Sequence, residues 1–294
     1  MLSILIPTYN YPCSQLANKL SEAIDLQNLA CEIIVCDDAS AESVQAQNRC
    51  IAKIPHCTYL ELSDNIGRSR IRNYLAEQAK GDWLLFIDCD GMPMDEFFLS
   101  RYIQETTSGK AEVVCGGIIH PEKLPSPEQS LRYYYEKKAE PKHSAEARNK
   151  HPYSAFRSFN FLIRRDRFMH IKFDEAFKQY GYEDVLLGLQ LKEKNVCIHH
   201  IENPLINCDI ENNHTFIRKT EEALRTLAEN SEKLGESVRL HHWYQKCCLW
   251  KLTPFLRILF SFTQNGLRKQ LTGRKPYIPL FNLYKLGYYT TIMK

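Results

Sequence analysis

Apolar and polar positions alternate in a regular way over the first 115 residues. Short, almost purely apolar runs are separated by longer segments in which apolar residues recur every three or four positions. These are the spacings of buried strands and of amphipathic helices. Strands are therefore predicted at 3–7, 31–36, 58–62, 83–87 and 111–115, and helices at 14–26, 41–53 and 67–79. Strands separated by helices of this length indicate an α/β fold with a mostly parallel sheet flanked by helices.

The pattern is less regular in the rest of the chain. Residues 120–158 hold few aliphatic side chains and many Pro, Lys and Glu residues, which predicts a long mobile loop or an insertion. Further strands and helices are predicted at 159–164, 183–194, 196–201 and 219–234. We therefore expect one domain over residues 1–215 and a C-terminal helical extension over residues 216–294.

Charge distinguishes the C-terminal extension from the rest of the chain. The formal net charge is only +3, but no acidic residue follows Glu236, and residues 237–294 carry 10 of the 38 Lys and Arg residues. The same segment is rich in aromatic residues, and its apolar stretches are broken by basic residues and by Pro254. This combination predicts helices that lie on an anionic membrane surface. A helical subdomain that packs on the rest of the protein is the alternative.

Composition limits the cellular setting. The 11 cysteines include no C-x-x-C pair, and those in predicted strands are interpreted as small buried hydrophobic residues in a reducing compartment. The first residues predict a strand rather than a signal peptide, and no apolar run reaches the length of about 18 residues that a membrane-spanning helix needs. We therefore expect a cytoplasmic protein.

Two aspartates, Asp88 and Asp90, directly follow the strand predicted at 83–87. In an extended chain alternate side chains share a face, so both carboxylates are expected to point the same way. Carboxylate pairs of this kind bind Mg²⁺ or Mn²⁺, ions that commonly bridge protein acids to a substrate diphosphate. The alternative interpretation is a solvated acidic turn after a strand.

Polar residues also follow the first two predicted strands, at the sheet edge where parallel sheets bind ligands. Thr8, Tyr9 and Asn10 follow the first strand, and Asp37 and Asp38 follow the second. A tyrosine can stack on a base, and a carboxylate can accept from a ribose hydroxyl or a base N–H. A simple turn after the first strand and a helix cap formed by Asp37 are the alternatives.

Two arginines lie four residues apart near the start of the helix predicted at 67–79, so Arg68 and Arg72 share a helix face. Guanidinium groups beside a helix N-terminus suit a diphosphate, and a solvated basic face is the alternative. Glu183 and Asp184 open another predicted helix. The helix dipole favours acids there, and a carboxylate that is ionised at neutral pH can also serve as a general base.

These motifs together resemble those of the family 2 glycosyltransferases of the GT-A fold, over roughly residues 1–215. The motifs, in order, are Ile6-Pro7-Thr8-Tyr9-Asn10, Asp37-Asp38, Asn65-Ile66-Gly67-Arg68 with Arg72-Asn73, Asp88-Cys89-Asp90 and Gly181-Tyr182-Glu183-Asp184. The resemblance implies a Rossmann-like catalytic domain that transfers a sugar, with inversion and with Mn²⁺ or Mg²⁺, from a nucleotide-sugar donor to an acceptor hydroxyl. A UDP-sugar is the default donor.

The resemblance also implies roles for single residues. The implied donor-binding residues are Pro7, Thr8, Tyr9, Asn10, Asp38, Arg68, Arg72, Asp88 and Asn160. The implied metal ligands are Asp88, Asp90 and His214. Asp184 corresponds to the general base and Glu183 to an acceptor-binding residue. A surface-loop histidine is the alternative for His214, and Phe159 stands where relatives often have Gly before Asn160.

The leading hypothesis is a glycosyltransferase at the inner face of the cytoplasmic membrane, with a glycan or a lipid-linked glycan as acceptor. A nucleotidyltransferase that forms nucleotide sugars is the first alternative, but residues 6–11 lack the Gly-rich basic loop typical of that class. A non-catalytic nucleotide-sugar-binding module is the second. Nucleic acid is not an expected partner, because the clustered aspartates would repel a phosphate backbone.

Overall fold

The structure, a computed structural model, describes residues 1–177 and 180–293. The strands are β1 (Leu2–Thr8), β2 (Cys31–Asp37), β3 (Cys57–Glu61), β4 (Trp83–Ile87), β5 (Gly91–Pro93), β6 (Val113–Cys115), β7 (Ile118–Ile119), β8 (Asn160–Arg164), β9 (Ile198–His200) and β10 (Leu205–Asn207). The α-helices are α1 (Ser14–Gln27), α2 (Glu42–Asn48), α3 (Arg68–Gln78), α4 (Phe98–Ser108), α5 (Ser130–Lys137), α6 (Ala145–Asn149), α7 (Arg165–Ile171), α8 (Glu183–Glu193), α9 (Asn213–Glu229), α10 (Ser231–Leu234), α11 (Arg239–Leu249), α12 (Thr253–Thr272) and α13 (Ile278–Ile292).

Within the described residues, seven strands form the main sheet, in the order β3-β2-β1-β4-β8-β6-β9. Strand β1 pairs in parallel with β2 and β4, whereas β8 lies antiparallel between β4 and β6. Strands β5, β10 and β7 form a small second sheet. The predicted α/β fold with a mainly parallel sheet and a helical C-terminal region is confirmed. The antiparallel direction of β8 was not predicted, because an apolar run carries no information about strand direction.

Both faces of the main sheet are buried, which explains why its strands are apolar at almost every position. Ile4 and Ile6 of β1 pack in one core with residues of α1, whereas Leu5 packs in the other core with Ile71 and Leu75 of α3. Because successive side chains of a strand point to opposite faces, one apolar run contributes to both cores.

A buried polar cluster joins β9 to the segment that contains α6. The guanidinium of Arg148 donates to the carbonyl oxygen of Cys115 at 3.0 Å and to Nδ1 of His200 at 3.0 Å. Nε2 of His200 donates to the carbonyl oxygen of Pro152 at 2.9 Å. Burial, reinforced by the charge of Arg148, lowers the pKa of His200 from 6.5 to about 4. The imidazole is therefore neutral in the folded protein at neutral pH.

The described chain divides into two compact units that interleave along the sequence. The first unit comprises residues 1–119, 142–177 and 187–209, and the second comprises residues 120–141, 180–186 and 210–293. The division after residue 209 lies near the predicted boundary at 215. Residues 120–141 and 180–186, from the middle of the chain, nevertheless belong to the second unit. A single boundary in the sequence therefore cannot separate the two units.

The core of the second unit is formed by residues from α5, α9, α12 and α13, namely Leu131, Ile217, Phe260, Leu271, Phe281 and Tyr284. Residues 120–158 thus include helices, and Leu131 of α5 is fully buried. The prediction of a long loop is wrong, and the alternative of an insertion describes the segment better. Helices able to cross a bilayer are not found among the residues that the structure describes.

The cysteines differ in burial more than predicted. All those in the described chain are free thiols, and Cys36 and Cys115 are buried within their strands. Cys197, next to β9, is exposed. The interpretation as buried small hydrophobic residues therefore holds for the strand interiors and is wrong for Cys197.

Candidate functional site

The carboxyl ends of β1, β2 and β4 lie side by side, because the three strands are adjacent and parallel. The polar residues after these strands, at 8–10, 37–38 and 88–90, are consequently brought to one edge of the sheet. The amide of Asp38 donates to the carbonyl oxygen of Thr8 at 2.9 Å, which ties two of these segments together. This is the edge at which open parallel sheets bind their ligands.

The first segment is an ordered turn with one exposed ring. Thr8 is buried, and its hydroxyl donates to the carbonyl oxygen of Tyr11 at 2.9 Å. Asn10 has a positive φ of 53°, and its side-chain oxygen accepts from the amide of Ala41 at 2.8 Å. The ring of Tyr9 is left exposed. The turn predicted as the alternative is present, and it also leaves the Tyr9 ring accessible to a base.

Asp38 anchors the segment that leads into α3. Its two carboxylate oxygens accept from the amides of Ile66 at 2.7 Å and of Gly67 at 3.0 Å. Burial raises the pKa of Asp38, and these two amide bonds oppose the rise. The contact of Asp38 with the donor stays a prediction. Each carboxylate oxygen that would make this contact already accepts one backbone hydrogen bond.

Asp37 has a structural role at the end of β2. This fully buried carboxylate accepts from the amide of Ser40 at 2.7 Å and from the hydroxyl of Tyr59 at 3.2 Å. The bond to Ser40 shapes the turn after β2. The alternative of a helix cap formed by Asp37 is wrong, because the N-cap of α2 is Ala41 and has no side-chain cap bond.

The two arginines of α3 differ sharply in exposure. The Arg72 side chain is 2% exposed, and its Nη2 donates to Oδ1 of Asp88. The Arg68 side chain is 41% exposed, and its Nη2 lies 3.5 Å from Oδ2 of Asp88. Arg72 therefore pairs with Asp88 from inside the protein. Arg68 is exposed, so a phosphate can reach its guanidinium from solvent. The solvated basic face proposed as the alternative does not describe Arg72.

The chain turns directly after β4. The strand ends at Ile87, and the amide of Gly91 donates to the carbonyl oxygen of Asp88 at 2.9 Å, which closes a turn over 88–91. The expectation that Asp88 and Asp90 extend from one face of an extended strand is therefore wrong. The bond from the amide of Cys208 to the carbonyl oxygen of Asp90, at 2.8 Å, places the segment after β10 beside this turn.

Two further residues belong to this region. Burial raises the pKa of the Tyr11 hydroxyl above its usual range, and the negative charges of Asp90 and Asp209 raise it further. Tyr11 and Asp209 thus lie within the electrostatic reach of the Asp90 region. No sequence pattern singled out Asp209, although its position two residues after the short strand β10 is the signal that could have identified it.

The structure does not assemble the predicted set of three metal ligands. Nowhere in residues 1–177 and 180–293 do three His, Cys, Asp or Glu side chains lie close enough to hold a metal ion. His214 lies exposed in the first turn of α9, in the second unit. Mg²⁺ and Mn²⁺ sites commonly use one or two carboxylates and take the remaining ligands from substrate phosphates and water. The acidic oxygens of Asp90 and its neighbour Asp209 fit a site of that kind.

Asn160 occupies a fully bonded position at the start of β8. Its amide nitrogen donates to the carbonyl oxygens of Gly117 at 3.0 Å and of Asn203 at 2.9 Å, and its side-chain oxygen accepts from the hydroxyl of Tyr102 at 2.7 Å. These bonds join the start of β8 to three other segments of the first unit. They favour a structural role, and the predicted contact with the donor sugar stays a prediction.

The Gly181-Tyr182-Glu183-Asp184 motif lies at the start of α8, in the second unit. Gly181 and Tyr182 have positive φ values of 103° and 68°. A Cβ on Gly181 would lie 2.6 Å from the Cβ of Ala223 in α9, so only glycine fits there. Tyr182 adopts a conformation that is rare for an aromatic residue and that often marks functional sites.

The two acids of the motif are held differently. Glu183 is buried and accepts from the amide of Gly181 at 3.1 Å, so it closes the turn before the helix. Oδ1 of Asp184 accepts from the amide of Val185 at 2.8 Å. Both acids lie at a helix N-terminus, where the helix dipole stabilises a carboxylate in its ionised form.

The main sheet, with its antiparallel β8, and the helices on both of its faces form a GT-A fold. The fold is similar to that of the mannosyltransferase PcManGT from Pyrobaculum calidifontis in complex with GDP-Man and Mn²⁺, with a TM-score of 0.59, 14% identity and coverage of 99% of this chain and 85% of that chain. It is also similar to S. aureus TarS 1–349 in complex with UDP-GlcNAc, with a TM-score of 0.53, 19% identity and coverage of 90% and 74%.

The chain belongs to glycosyl transferase family 2, whose model matches residues 3–171. The resemblance drawn from the motifs is thereby confirmed. A relative from Haemophilus influenzae, described as an uncharacterized glycosyltransferase, is 36% identical over 97 residues. That match covers 33% of this chain, which spans only 31% of the length of the relative.

Proposed function

We propose that this protein is an inverting glycosyltransferase that moves a sugar from a nucleotide-sugar donor to a hydroxyl group of a glycan or lipid-linked glycan. The observation that carries the proposal is the sheet edge at which the buried Arg72 holds Asp88, with Arg68 and the Tyr9 ring left accessible. A stacking ring, a cation and fixed carboxylates are the groups that a nucleoside diphosphate sugar requires.

The donor contacts follow from this arrangement. The exposed ring of Tyr9 stacks on the base, and the Arg68 guanidinium contacts the diphosphate beside the N-terminus of α3. Asp88, whose orientation is fixed by Arg72, accepts from hydroxyl groups of the ribose or the sugar. We propose a UDP-sugar. Support for a nucleoside diphosphate sugar in general comes from the complexes of similar folds with UDP-GlcNAc and GDP-Man.

We propose Mg²⁺ or Mn²⁺ as cofactor, and one similar structure is a complex with Mn²⁺. Asp90 would hold the ion, with Asp209 as the neighbouring carboxylate. When bound, such an ion supplies Lewis-acid stabilisation of the charge that develops on the leaving nucleoside diphosphate. His214, proposed as a ligand from the sequence, is not needed for a site completed by substrate oxygens.

We further propose that Asp184 is the general base and that Glu183 shapes the acceptor side. Inversion requires the acceptor oxygen to attack the anomeric carbon opposite the leaving phosphate, while its proton passes to a carboxylate. A carboxylate is favoured at a helix N-terminus, and the turn closed by Glu183 fixes the position of Asp184. We place this activity in the cytoplasm, at the inner face of the membrane.

Donor turnover tests the proposal. The full chain is incubated with individual nucleotide sugars and Mn²⁺, and release of the nucleoside diphosphate is measured with and without glycan acceptors. We expect metal-dependent release that Asp88→Asn abolishes and that Asp25→Asn, an exposed acid of α1, leaves unchanged. Formation of pyrophosphate from a sugar phosphate and a nucleoside triphosphate would favour the nucleotidyltransferase. Donor binding without turnover in any acceptor screen would favour a binding module.

A further inference from the structure

Helix α12 carries apolar residues on two sides, and only one side is used by the fold. Phe260 and Leu271 are buried in the core of the second unit. Phe255, Ile258, Leu259 and Phe262 follow the i, i+3, i+4, i+7 spacing and so form a separate stripe. All four are exposed. A helix needs one apolar stripe to pack in a protein, so the second requires another explanation.

The stripe continues into the corner before α12. Leu249 ends α11 and Trp250 follows it. The amide of Leu252 donates to the carbonyl oxygen of Cys247 at 2.9 Å, which makes the connection tight. The exposed residues of the corner and of α12, each between 41% and 83% exposed, form what we call the outer face: Leu249, Trp250, Phe255, Ile258, Leu259 and Phe262. Large apolar side chains concentrated in this way mark an interaction surface.

The outer face is held in place without any partner. The Arg257 guanidinium donates to the carbonyl oxygens of Thr290 at 2.9 Å and of Met293 at 2.7 Å, near the end of α13. On the buried side, the rings of Phe260 and Tyr284 lie 5.4 Å apart. The inner side of α12 is therefore fixed on α13, and the exposed stripe is presented on a stable support.

Basic residues accompany the outer face, and the segment that carries it contains no acid. The Lys246 ammonium lies 5.0 Å above the ring of Trp243 on α11, Lys251 is in the corner and Lys269 is exposed on α12. No Asp or Glu follows Glu236 in the sequence. The partner must therefore offer both an apolar phase and negative charge.

We propose that the outer face binds the surface of an anionic lipid bilayer, with its apolar side chains in the acyl boundary and its lysines at the headgroups. An anionic leaflet supplies both required properties. A second copy of the chain would bring like charges together across the interface. A nucleic acid offers no apolar phase for Leu249, Ile258 or Leu259. The inference does not depend on which sugar the protein transfers.

Flotation of the full chain with phospholipid vesicles tests the proposal. We expect binding to vesicles of phosphatidylglycerol and phosphatidylcholine that falls with salt, and weaker binding to phosphatidylcholine alone. The double substitution Phe255→Glu/Phe262→Glu should lower the partition coefficient at least about tenfold, since two exposed rings lose their apolar contact. Lys246→Gln and Lys269→Gln should each lower it about fivefold on anionic vesicles.

Matched variants separate the outer face from general effects. Leu26→Glu changes an exposed leucine of α1, and Lys192→Gln changes an exposed lysine of α8, and both should leave flotation unchanged. Circular dichroism should show the same thermal unfolding for the variants at exposed positions. Lys246 is half-buried, so its variant is compared by the fraction that is folded at the flotation temperature. Full flotation of the double variant, or equal losses in the control variants, would overturn the proposal. So would a dimer in vesicle-free solution that the double substitution dissociates.

Discussion

Replacing Arg72 by methionine removes the charge that pairs with Asp88 while keeping an unbranched apolar stem in its place. Arg72 is 2% exposed and its partner Asp88 is 17% exposed, so the substitution leaves a largely buried carboxylate whose remaining cation is the half-exposed Arg68 at 3.5 Å. Breaking a buried ion pair from one side costs about 3–5 kcal/mol. Because Asp88 retains some contact with water, we expect the lower end, about 3 kcal/mol, and a decrease in Tm of about 10 °C.

A double-mutant cycle separates the pair from the bulk of its side chains. Arg72→Met, Asp88→Asn and the double variant are unfolded with urea and monitored by circular dichroism, and the coupling free energy should be at least about 2 kcal/mol. Arg70→Met is the matched control, because Arg70 lies on the same helix and pairs at 3.2 Å with Glu175 at an exposed position. Such a pair contributes about 0–1 kcal/mol. A coupling below about 0.5 kcal/mol would refute the reasoning that Arg72 is the buried support of Asp88.

Three further predictions concern other parts of the molecule. The pKa of His200 falls from 6.5 to about 4 on folding. The contribution of His200 to the free energy of unfolding should therefore be fully present above pH 6.5 and decline by up to about 3 kcal/mol as the pH falls to 4. Urea titrations should show that His200→Gln removes this pH dependence. Gly181→Ala should lower the thermal stability of the second unit and reduce transfer, because its Cβ would meet Ala223; unchanged values for both would contradict that geometry. Asp184→Asn should bind the donor with unchanged affinity in calorimetry but lose transfer at least about 100-fold, and wild-type turnover would reassign the base.

The sequence predicts those features that depend on apolar periodicity. Strand β4 has the predicted bounds, and the helices α1 and α3 end within one residue of those expected. Residues 120–158 were misjudged because the pattern there is dominated by lysine, glutamate and proline. The buried residues Leu131 and Tyr133 of α5 are too few to reveal a helix that packs in the second unit.

The sequence predicts which residue types lie at the sheet edge better than it predicts the contacts that each residue makes there. Asp88 and Arg72 are in direct contact, as residues of one site should be, and their roles toward a donor stay predictions. Arginine is rarely buried, so nothing in the sequence indicated that Arg72 would support Asp88 from inside the protein. Asn160 shows the same limit, since an amide that donates both of its hydrogens within the fold has the same sequence signature as one that meets a ligand.

The second unit contains both the motif that we propose for the acceptor side and the outer face, which connects the two proposals. The hydroxyl of Thr226 in α9 donates to the carbonyl oxygen of Tyr180 at 3.0 Å, and Ile217 of the same helix packs in one core with Phe260 of α12. A unit for which we propose binding of both a bilayer and the acceptor favours a lipid-linked acceptor, because both partners would then be confined to one surface. Phe255→Glu/Phe262→Glu should therefore reduce kcat/KM for a lipid-linked glycan in anionic vesicles and leave transfer to a short soluble glycan unchanged. Equal losses with both acceptors would show that the outer face acts on the fold and not on the membrane.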